Sequence, residues 1–526
     1  MELLMKNIHM CRQARQAEAE VTLDEDFNVP DAKPDVEMII QSKERVVLED
    51  TRTESGRIYI HGFMEVSILY LDDTRERQLH RLDTKMPFDE TIHMEGLTPG
   101  ENVRIRYETE DLNTALINSR KLAIRGLLSF RASVDEIYDI SAAVETQTRI
   151  SICEKRKKLE LMQLEVQKKD ILRLKEEFPV PANKPNIREL LWENIQLQGC
   201  RIRLEEGKLA VEGKLFLFVL YRGEEEGSQC QWMEQTLPIK GELDCAGCKK
   251  EMVPDIEVSL SQAELFPKED TDGETRMFHL EGILELEIRL YGNEEAEILE
   301  DVFSPEKDLE VTAGEETYES LVMHNESKCR AEGKIRIQAA KPRILQICHS
   351  HGSIKIDQTK IVPGGIKIEG AIPAVILYIS PEDSMPFAVL EGTIPFSHVA
   401  EVPGITRDCR FTLNAGLDQL QAAMADSEEI ELKASVSLEI FAVLPHTQRC
   451  IQEIREREYD PAVLEAVPGI TGYMVQEGDT LWGIAKQYYM TPQQIMEMNS
   501  LETQELHPGV CLILMKNMVS LNENRG

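Results

Sequence analysis

The chain has 526 residues, 42% of them hydrophobic and 6% aromatic, with a formal charge of −35 at neutral pH. That length accommodates about three to four domains of ordinary globular composition. The acidic balance excludes general binding to nucleic-acid phosphates, and the longest apolar run, Leu215–Tyr221, is far shorter than the ~20 residues of a membrane span.

The first ten residues lack the basic region and apolar core of a secretory signal. The eleven cysteines are odd in number and scattered, unlike a secreted disulfide framework. A reducing cytosol is therefore the expected compartment.

Three long repeats then follow one another, over 1–148, 149–308 and 309–460. The triplets Gly56/Gly207/Gly364, Gly62/Gly213/Gly370 and Tyr70/Tyr221/Tyr378 recur at constant offsets, as do Lys33-Pro34, Lys184-Pro185 and Lys341-Pro342 upstream and Pro87, Pro238 and Pro395 downstream. Matches at fixed offsets over so long a stretch mean internal duplication. Each copy exceeds the ~20–50 residues of a solenoid unit and reads as a domain.

Pro30 and Pro34, repeated as Pro181 and Pro185, fix an extended approach to an apolar stretch; the third copy has Gln338 in place of the first proline. The stretches Val36–Ile40 and Ile187–Leu191 predict a short helix, with a strand as the alternative. Next comes a pair of strands in which Ile58, Ile60, Met64, Val66, Ile68 and Tyr70 alternate with outward residues. Gly62, Gly213 and Gly370 within them mark a bulge or a close backbone approach.

Each repeat closes on a longer alternating run: Leu122–Val134, Phe278–Leu290 and Ile430–Ala442. Copy two carries five extra residues between Pro238 and Gly282, which the polar stretch Lys268–Glu274 is expected to place in a surface loop. After the basic cluster Lys155–Lys158, the alternation from Leu159 to Val166 predicts a strand. Residues 461–471, within the stretch Tyr459–Gly472 that has two prolines and two glycines, read as a linker, and 517–526 as a tail.

Candidate chemistry is sparse. Cys245 and Cys248 form one Cys-x-x-Cys without a second pair at zinc spacing, in copy two alone. They read as ordinary turn cysteines, and serine at both is expected to leave stability and metal content unchanged. Cys348, His349 and His351 cluster in copy three, where two strand residues sharing a face could converge on a metal. No nucleophile elbow, P-loop, zincin or kinase signature occurs. With 94 acidic residues, carboxylate pairs arise by chance, so no glycosidase dyad is inferred. The expectation is a protein without catalytic residues, cofactor or metal.

From 472 to 516 the pattern changes to strand, helix, helix, strand. Thr480 and Thr491 stand at helix N-caps. Ile484, Ala485 and Tyr488 line the inner face of the first helix, Ile495 and Met498 that of the second, and Asn499 ends it. Pro508-Gly509 turns into the last strand.

This module resembles the LysM domain in Tyr473, Val475, Gly478-Asp479-Thr480-Leu481, Ile484-Ala485, Tyr488, Thr491, Ile495, Asn499, Leu501 and Pro508-Gly509. The resemblance implies a βααβ fold with a groove for N-acetylglucosamine glycans, bordered by the Gly478–Leu481 loop and the segment after Asn499. It assigns Gly478, Asp479, Thr480, Leu481, Trp482, Asn499, Leu501, Pro508 and Gly509 to a groove for glycan or protein. Met474 stands where the family often has Thr, and Glu477, where it often has Pro, adds a charge beside the groove. Whichever of Leu481 and Trp482 is exposed would supply an apolar anchor, so Leu481→Glu is expected to weaken a protein partner by about 1–3 kcal/mol; the alternative is that Trp482 covers the module's core.

The three repeats resemble SPOCS domains in Val29-Pro30, Lys33-Pro34-Asp35, the paired glycines and strand ends of the Ile68-Leu69-Tyr70 type. Three such repeats followed by one LysM are similar to the spore-coat morphogenetic proteins of clostridial spore formers. The resemblance implies a mainly β adaptor in the mother-cell cytoplasm that binds a SpoIVA-like scaffold ATPase at the forespore surface. The rival expectation is a peptidoglycan-binding protein, as a cell-wall or phage-tail component. A third, an enzyme built around Cys245 and Cys248, has least in its favour.

Overall fold

Alternating apolar residues over most of the chain produce strands, and the computed structural model describes them in residues 1–224, 230–338, 341–460, 462 and 468–515. The first repeat contains β1 (Glu2–Asn28), β2 (Val36–Glu54), β3 (Arg57–Asp72), β4 (Leu79–His93), β5 (Val103–Asn118) and β6 (Lys121–Gln147). They form two three-stranded antiparallel sheets, β1-β6-β5 and β2-β3-β4. The second repeat copies this with β7 (Cys153–Pro179), β8 (Ile187–Glu205), β9 (Lys208–Gly223), β10 (Gln231–Asp244), β11 (Val253–Glu269) and β12 (Thr275–Phe303). In the third repeat, β13 (Asp308–Arg336), β14 (Gln346–Gly352), β15 (Lys355–Val362), β16 (Gly365–Ile379), β17 (Phe387–Glu401), β18 (Arg410–Met424) and β19 (Glu429–Arg457), the second strand is split, so β14 and β15 both pair with β16.

Each repeat is thus a sandwich whose two sheets enclose their own core. In the second repeat Leu209, Val211, Leu217, Val219 and Tyr221 from one sheet meet Phe278, Leu280, Leu284 and Leu286 from the other. The duplication is visible atom by atom. The hydroxyls of Tyr70, Tyr221 and Tyr378 donate to the carbonyls of Pro34, Pro185 and Pro342 at 3.2, 3.1 and 2.9 Å. Gly56, Gly207 and Gly364 each adopt φ between +72° and +79° at the tight turn before the central strand, a conformation that disfavours a side chain. At Gly62 and Gly370 an added Cβ would run into the facing carbonyls of Val47 and Lys355; these are the close approaches that the sequence marks.

The five surplus residues of copy two fall where expected. Pro267 pairs with Phe278 as Leu116 pairs with Leu122, so the extra residues lie between them. They lengthen an exposed hairpin tip that turns at Asp270–Gly273.

The helix expected over Val36–Ile40 and Ile187–Leu191 is not formed; both stretches begin strands β2 and β8. Ile39 packs on its own repeat's core, while Ile40 packs into a cluster shared with the other repeats. A strand buried on both faces gives a continuous apolar run that periodicity cannot separate from a helix.

That shared cluster defines the architecture. Leu69, Leu220 and Leu377, equivalent residues of the three repeats, belong to one buried cluster. So do Met10, Leu161 and Tyr318 with Ala142, Ile298 and Cys450, and so do Ala143, Leu299 and Ile451. Equivalent residues can meet three at a time only if the repeats close around a common pseudo-threefold axis. The outer strands serve this closure. β1 has 27 residues, about 90 Å of extended chain, and the ends of the three long hairpins reach past their own sandwiches to pack on one another. At ~1.5–3 kcal/mol for each fully buried aliphatic side chain, the axial clusters make the three repeats one body.

The C-terminal module has β20 (Ile470–Met474), α1 (Leu481–Gln487), α2 (Pro492–Asn499) and β21 (Cys511–Met515), with β20 and β21 antiparallel. Most of the linker read over 461–471, namely 461 and 463–467, and the whole of the tail 517–526 lie outside the described residues.

Candidate functional site

The C-terminal module is built around Val475, Leu481, Ile484, Ala485, Met490, Ile495, Leu512 and Leu514. Thr480 caps α1 by accepting from the Gly483 amide at 3.1 Å. Thr491 and Gln494 form a reciprocal capping box at α2, which satisfies two otherwise orphaned amides. On α2, Met498 points to solvent and Met496 packs on the core instead; the expected inward Met498 is therefore corrected by two residues along the helix.

Asn499 does more than end its helix. Its side chain donates to the carbonyls of Ile495 and Ile513 and accepts from the Ile513 amide, all at 2.7–2.9 Å. It thereby pins α2 to β21. Asp479 accepts from the Tyr473 hydroxyl and the Gln476 amide, each at 2.8 Å, and so closes the loop before α1. The Gly509 amide donates to Val475, and the Val475 amide to Val510, which stitches the Pro508-Gly509 turn to the same loop. Gly478, Thr480, Pro508 and Gly509 are exposed, Asp479, Asn499 and Leu501 half-buried.

Leu481 and Trp482 do not stand free in a groove. Leu481 is 2% exposed in the module core, so glutamate there would unfold the module before it tested any interface. Trp482 turns toward the second repeat. Its indole N–H donates to Asp301 Oδ2 at 2.9 Å, and its ring meets Phe303 edge-on at 4.9 Å. Lys486 Nζ reaches the same carboxylate at 2.8 Å. Burial acts to raise the Asp301 carboxyl, but the Lys486 and Trp482 hydrogen bonds outweigh it and hold the group below the usual carboxylate range. Tyr459 adds a hydroxyl bond to the Ser304 carbonyl at 2.6 Å and a T-shaped contact with Tyr489. Phe303 thus belongs to the module's own core cluster. Asp301 and Phe303 lie in an unremarkable acidic-apolar strand end, where no motif marks them.

The cysteine pair occupies a structural turn. Cys245 and Cys248 are 0% and 2% exposed, and the backbone bonds of Gly207 with Cys245 and Cys248 repeat those of Gly56 with Met94 and Leu97. The third repeat has Val402 and Ile405 at these positions. The sulfurs therefore fill the place of apolar side chains, and serine would not be neutral there, which corrects the expectation of unchanged stability.

His349 and His351 do come together, stacked at 5.6 Å. His349 also stacks on Phe218 at 4.1 Å and faces Glu234 through Nδ1 at 3.4 Å. Burial pushes His349 below its ordinary range, and burial with His349 and Lys43 nearby brings His351 down to about 3. Cys348 is buried, its thiol pushed up to about 12. Among the described residues no group of three or more potential ligands gathers at a metal-binding spacing.

The family model described as "SipL, SPOCS domain" matches residues 35–117, 186–265 and 343–425. Each match starts close to the Lys-Pro turn and ends near the close of the penultimate long strand, leaving the outer strands beyond it. The LysM domain model matches 473–513. The uncharacterized protein YkzQ of Bacillus subtilis (strain 168) is 46% identical over 37 residues, 7% of this chain and 49% of that protein. The chain thus spans about half the length of that curated relative. No solved structure matches.

Proposed function

The chain carries three SPOCS domains followed by one LysM domain, and from that premise we propose that it is a morphogenetic adaptor of the spore coat. Both domain types are non-catalytic binding modules, and the SPOCS family points to sporulation. In this reading the three SPOCS domains are the platform and the LysM domain is the docking head for a SpoIVA-like scaffold ATPase. The place of action is the mother-cell cytoplasm at the forespore surface.

The observation that carries the reading is the way the LysM domain is mounted. Trp482 and Lys486 are bound to Asp301, while Gly478, Thr480, Pro508 and Gly509 stay exposed. A head held at one face and open at its loops suits a partner that must be presented in a fixed direction. Adhesion of a flexibly tethered glycan anchor would need no such mount.

A second reading keeps the LysM domain as a binder of peptidoglycan N-acetylglucosamine chains. The domain match itself supports it, as do the exposed backbone groups beside Gly478 and Pro508-Gly509, which suit hydrogen bonding to sugars. Pull-down from sporulating cells alongside sedimentation with purified peptidoglycan separates the two. Scaffold capture without sedimentation supports the adaptor; sedimentation without capture supports the glycan binder.

A further inference from the structure

A cleft of about 1130 Å³ opens between the second and third repeats. Its floor is the outward face of the sheet β8-β9-β10, where Arg201, Glu212 and Lys240 form one cross-strand row and Gln198, Lys214 and Pro238 another. Its walls are β14, with His349, and the end of β18.

The charges in the cleft do not balance. Lys328 is neutralised by Asp418 at 2.6 Å. Glu212 is engaged by Arg203, while Glu234 faces the neutral His349 and keeps its charge. Arg201, Lys214 and Lys240 are left with no carboxylate at ion-pair distance among the described residues, in a chain whose net charge is −35. Cations gathered in a concave site attract an anion strongly, because the low-dielectric walls focus their field.

His349 is a second, independent sign. It is 3% exposed and lines the cleft, yet its Nε2 has no hydrogen-bond partner among the described residues. A buried polar atom left unpaired costs about 1–3 kcal/mol; with Nδ1–H donating to Glu234 the free nitrogen is Nε2, a lone-pair acceptor that a backbone N–H of a bound peptide would satisfy.

Size and edges decide what the anion is. The cleft exceeds the ~300–1,000 Å³ of small-molecule pockets and is open to solvent. β8 and β18 are edge strands of their sheets, and neither has a ladder partner on its outer side among the described residues. Unpaired edges with free backbone groups accept an added strand. We propose that this cleft binds an extended, carboxylate-rich peptide segment of a partner protein, laid along β8 with its acidic side chains against Arg201 and Lys214 and in the field of Lys240. The site is on the SPOCS body, separate from the LysM loops, and does not depend on what the LysM domain binds.

The test uses the full chain and a fluorescein-labelled twelve-residue peptide of alternating glutamate and valine, read by anisotropy. Peptides with lysine or glutamine in place of glutamate are the controls. The acidic peptide should bind at least about tenfold more tightly than either, a difference of about 1.4 kcal/mol, and more weakly as salt rises. Lys214→Glu combined with Lys240→Glu should lose about tenfold or more, whereas Lys360→Glu, a substitution away from the cleft, should not. All three positions are exposed, and unchanged melting shows that the variants fold. A chito-oligosaccharide competitor should leave the signal unaffected. Absent binding of the acidic peptide, equal binding of the lysine peptide, indifference to the double substitution or displacement by the oligosaccharide would each overturn the proposal.

Discussion

Replacing Asp301 by alanine should release the LysM domain from the SPOCS body without unfolding either. The carboxylate, 15% exposed, accepts from the Trp482 indole and from Lys486. A hydrogen bond to a charged group contributes about 1.5–3 kcal/mol. The Lys486 pair is half exposed and is discounted for solvent screening to about 0.2–1 kcal/mol. The loss is then about 2–4 kcal/mol, or roughly 30- to 1000-fold in the docked-to-undocked ratio. Phe303 against Trp482 and Tyr459 against Tyr489 remain, so docking weakens rather than vanishes. Asp301→Asn keeps an acceptor and should lose less. The sign of the pH dependence follows from the depressed carboxyl: its contribution is complete above the unfolded value of about 3.9 and is lost as pH falls through the lower folded value. Neutral or mildly acidic buffer should therefore leave the domain docked. The assays are proteolytic cleavage between Asp460 and Ile470 and the radius of gyration from small-angle scattering. Equal cleavage rates and equal radii for Asp301→Ala and the parent would refute the account of the mount.

Tyr378→Phe removes the donor to the buried Pro342 carbonyl and should cost about 1–3 kcal/mol; Tyr70→Phe and Tyr221→Phe should behave alike, and three unchanged denaturation midpoints would contradict the shared role. Serine at both Cys245 and Cys248 places two hydroxyls in an apolar core and should cost about 1–3 kcal/mol each, whereas valine at both should be nearly tolerated; stoichiometric zinc in the parent would overturn the apolar assignment. Cutting the Lys268–Glu274 tip back to the length of the first repeat's turn should change stability by less than about 1 kcal/mol, and a larger loss would show that the tip carries contacts. Folded-state values of His349 and His351 lie below the ordinary imidazole value, so the unfolded chain binds the extra protons as pH drops. Stability should therefore fall below about pH 6.5 by up to ~1.4 kcal/mol per pH unit for each histidine, and His351→Gln should flatten that slope in acid melts.

Much of the fold is legible in the sequence because the duplication repeats its own constraints. Glycines at close approaches, a tyrosine whose hydroxyl has one fixed acceptor and alternation with period two are all local signals. The LysM module is legible for the same reason, since Thr480, Thr491 and Asn499 act on residues a few positions away. What escapes is long-range. Nothing local in Met10, Leu161 and Tyr318 says that they share one cluster, and the doubly buried starts of β2 and β8 imitate helices for want of a polar face. Motif position assigns Leu481 and Trp482 to a groove, yet one is core and the other faces Asp301, a residue far upstream with no motif of its own. The cleft with His349 depends on two repeats meeting and has no linear signature.

In the proposed function the LysM domain is the head through which the SPOCS body reaches a coat scaffold. Its most direct test compares the full chain with a chain ending at residue 460 in pull-downs from sporulating cells, with peptidoglycan sedimentation run on both. The account predicts that the full chain retains the scaffold ATPase, that the truncated chain loses it while its repeats still melt cooperatively, and that neither sediments with peptidoglycan. Scaffold retained by the truncated chain, together with sedimentation of the full chain alone, would contradict it.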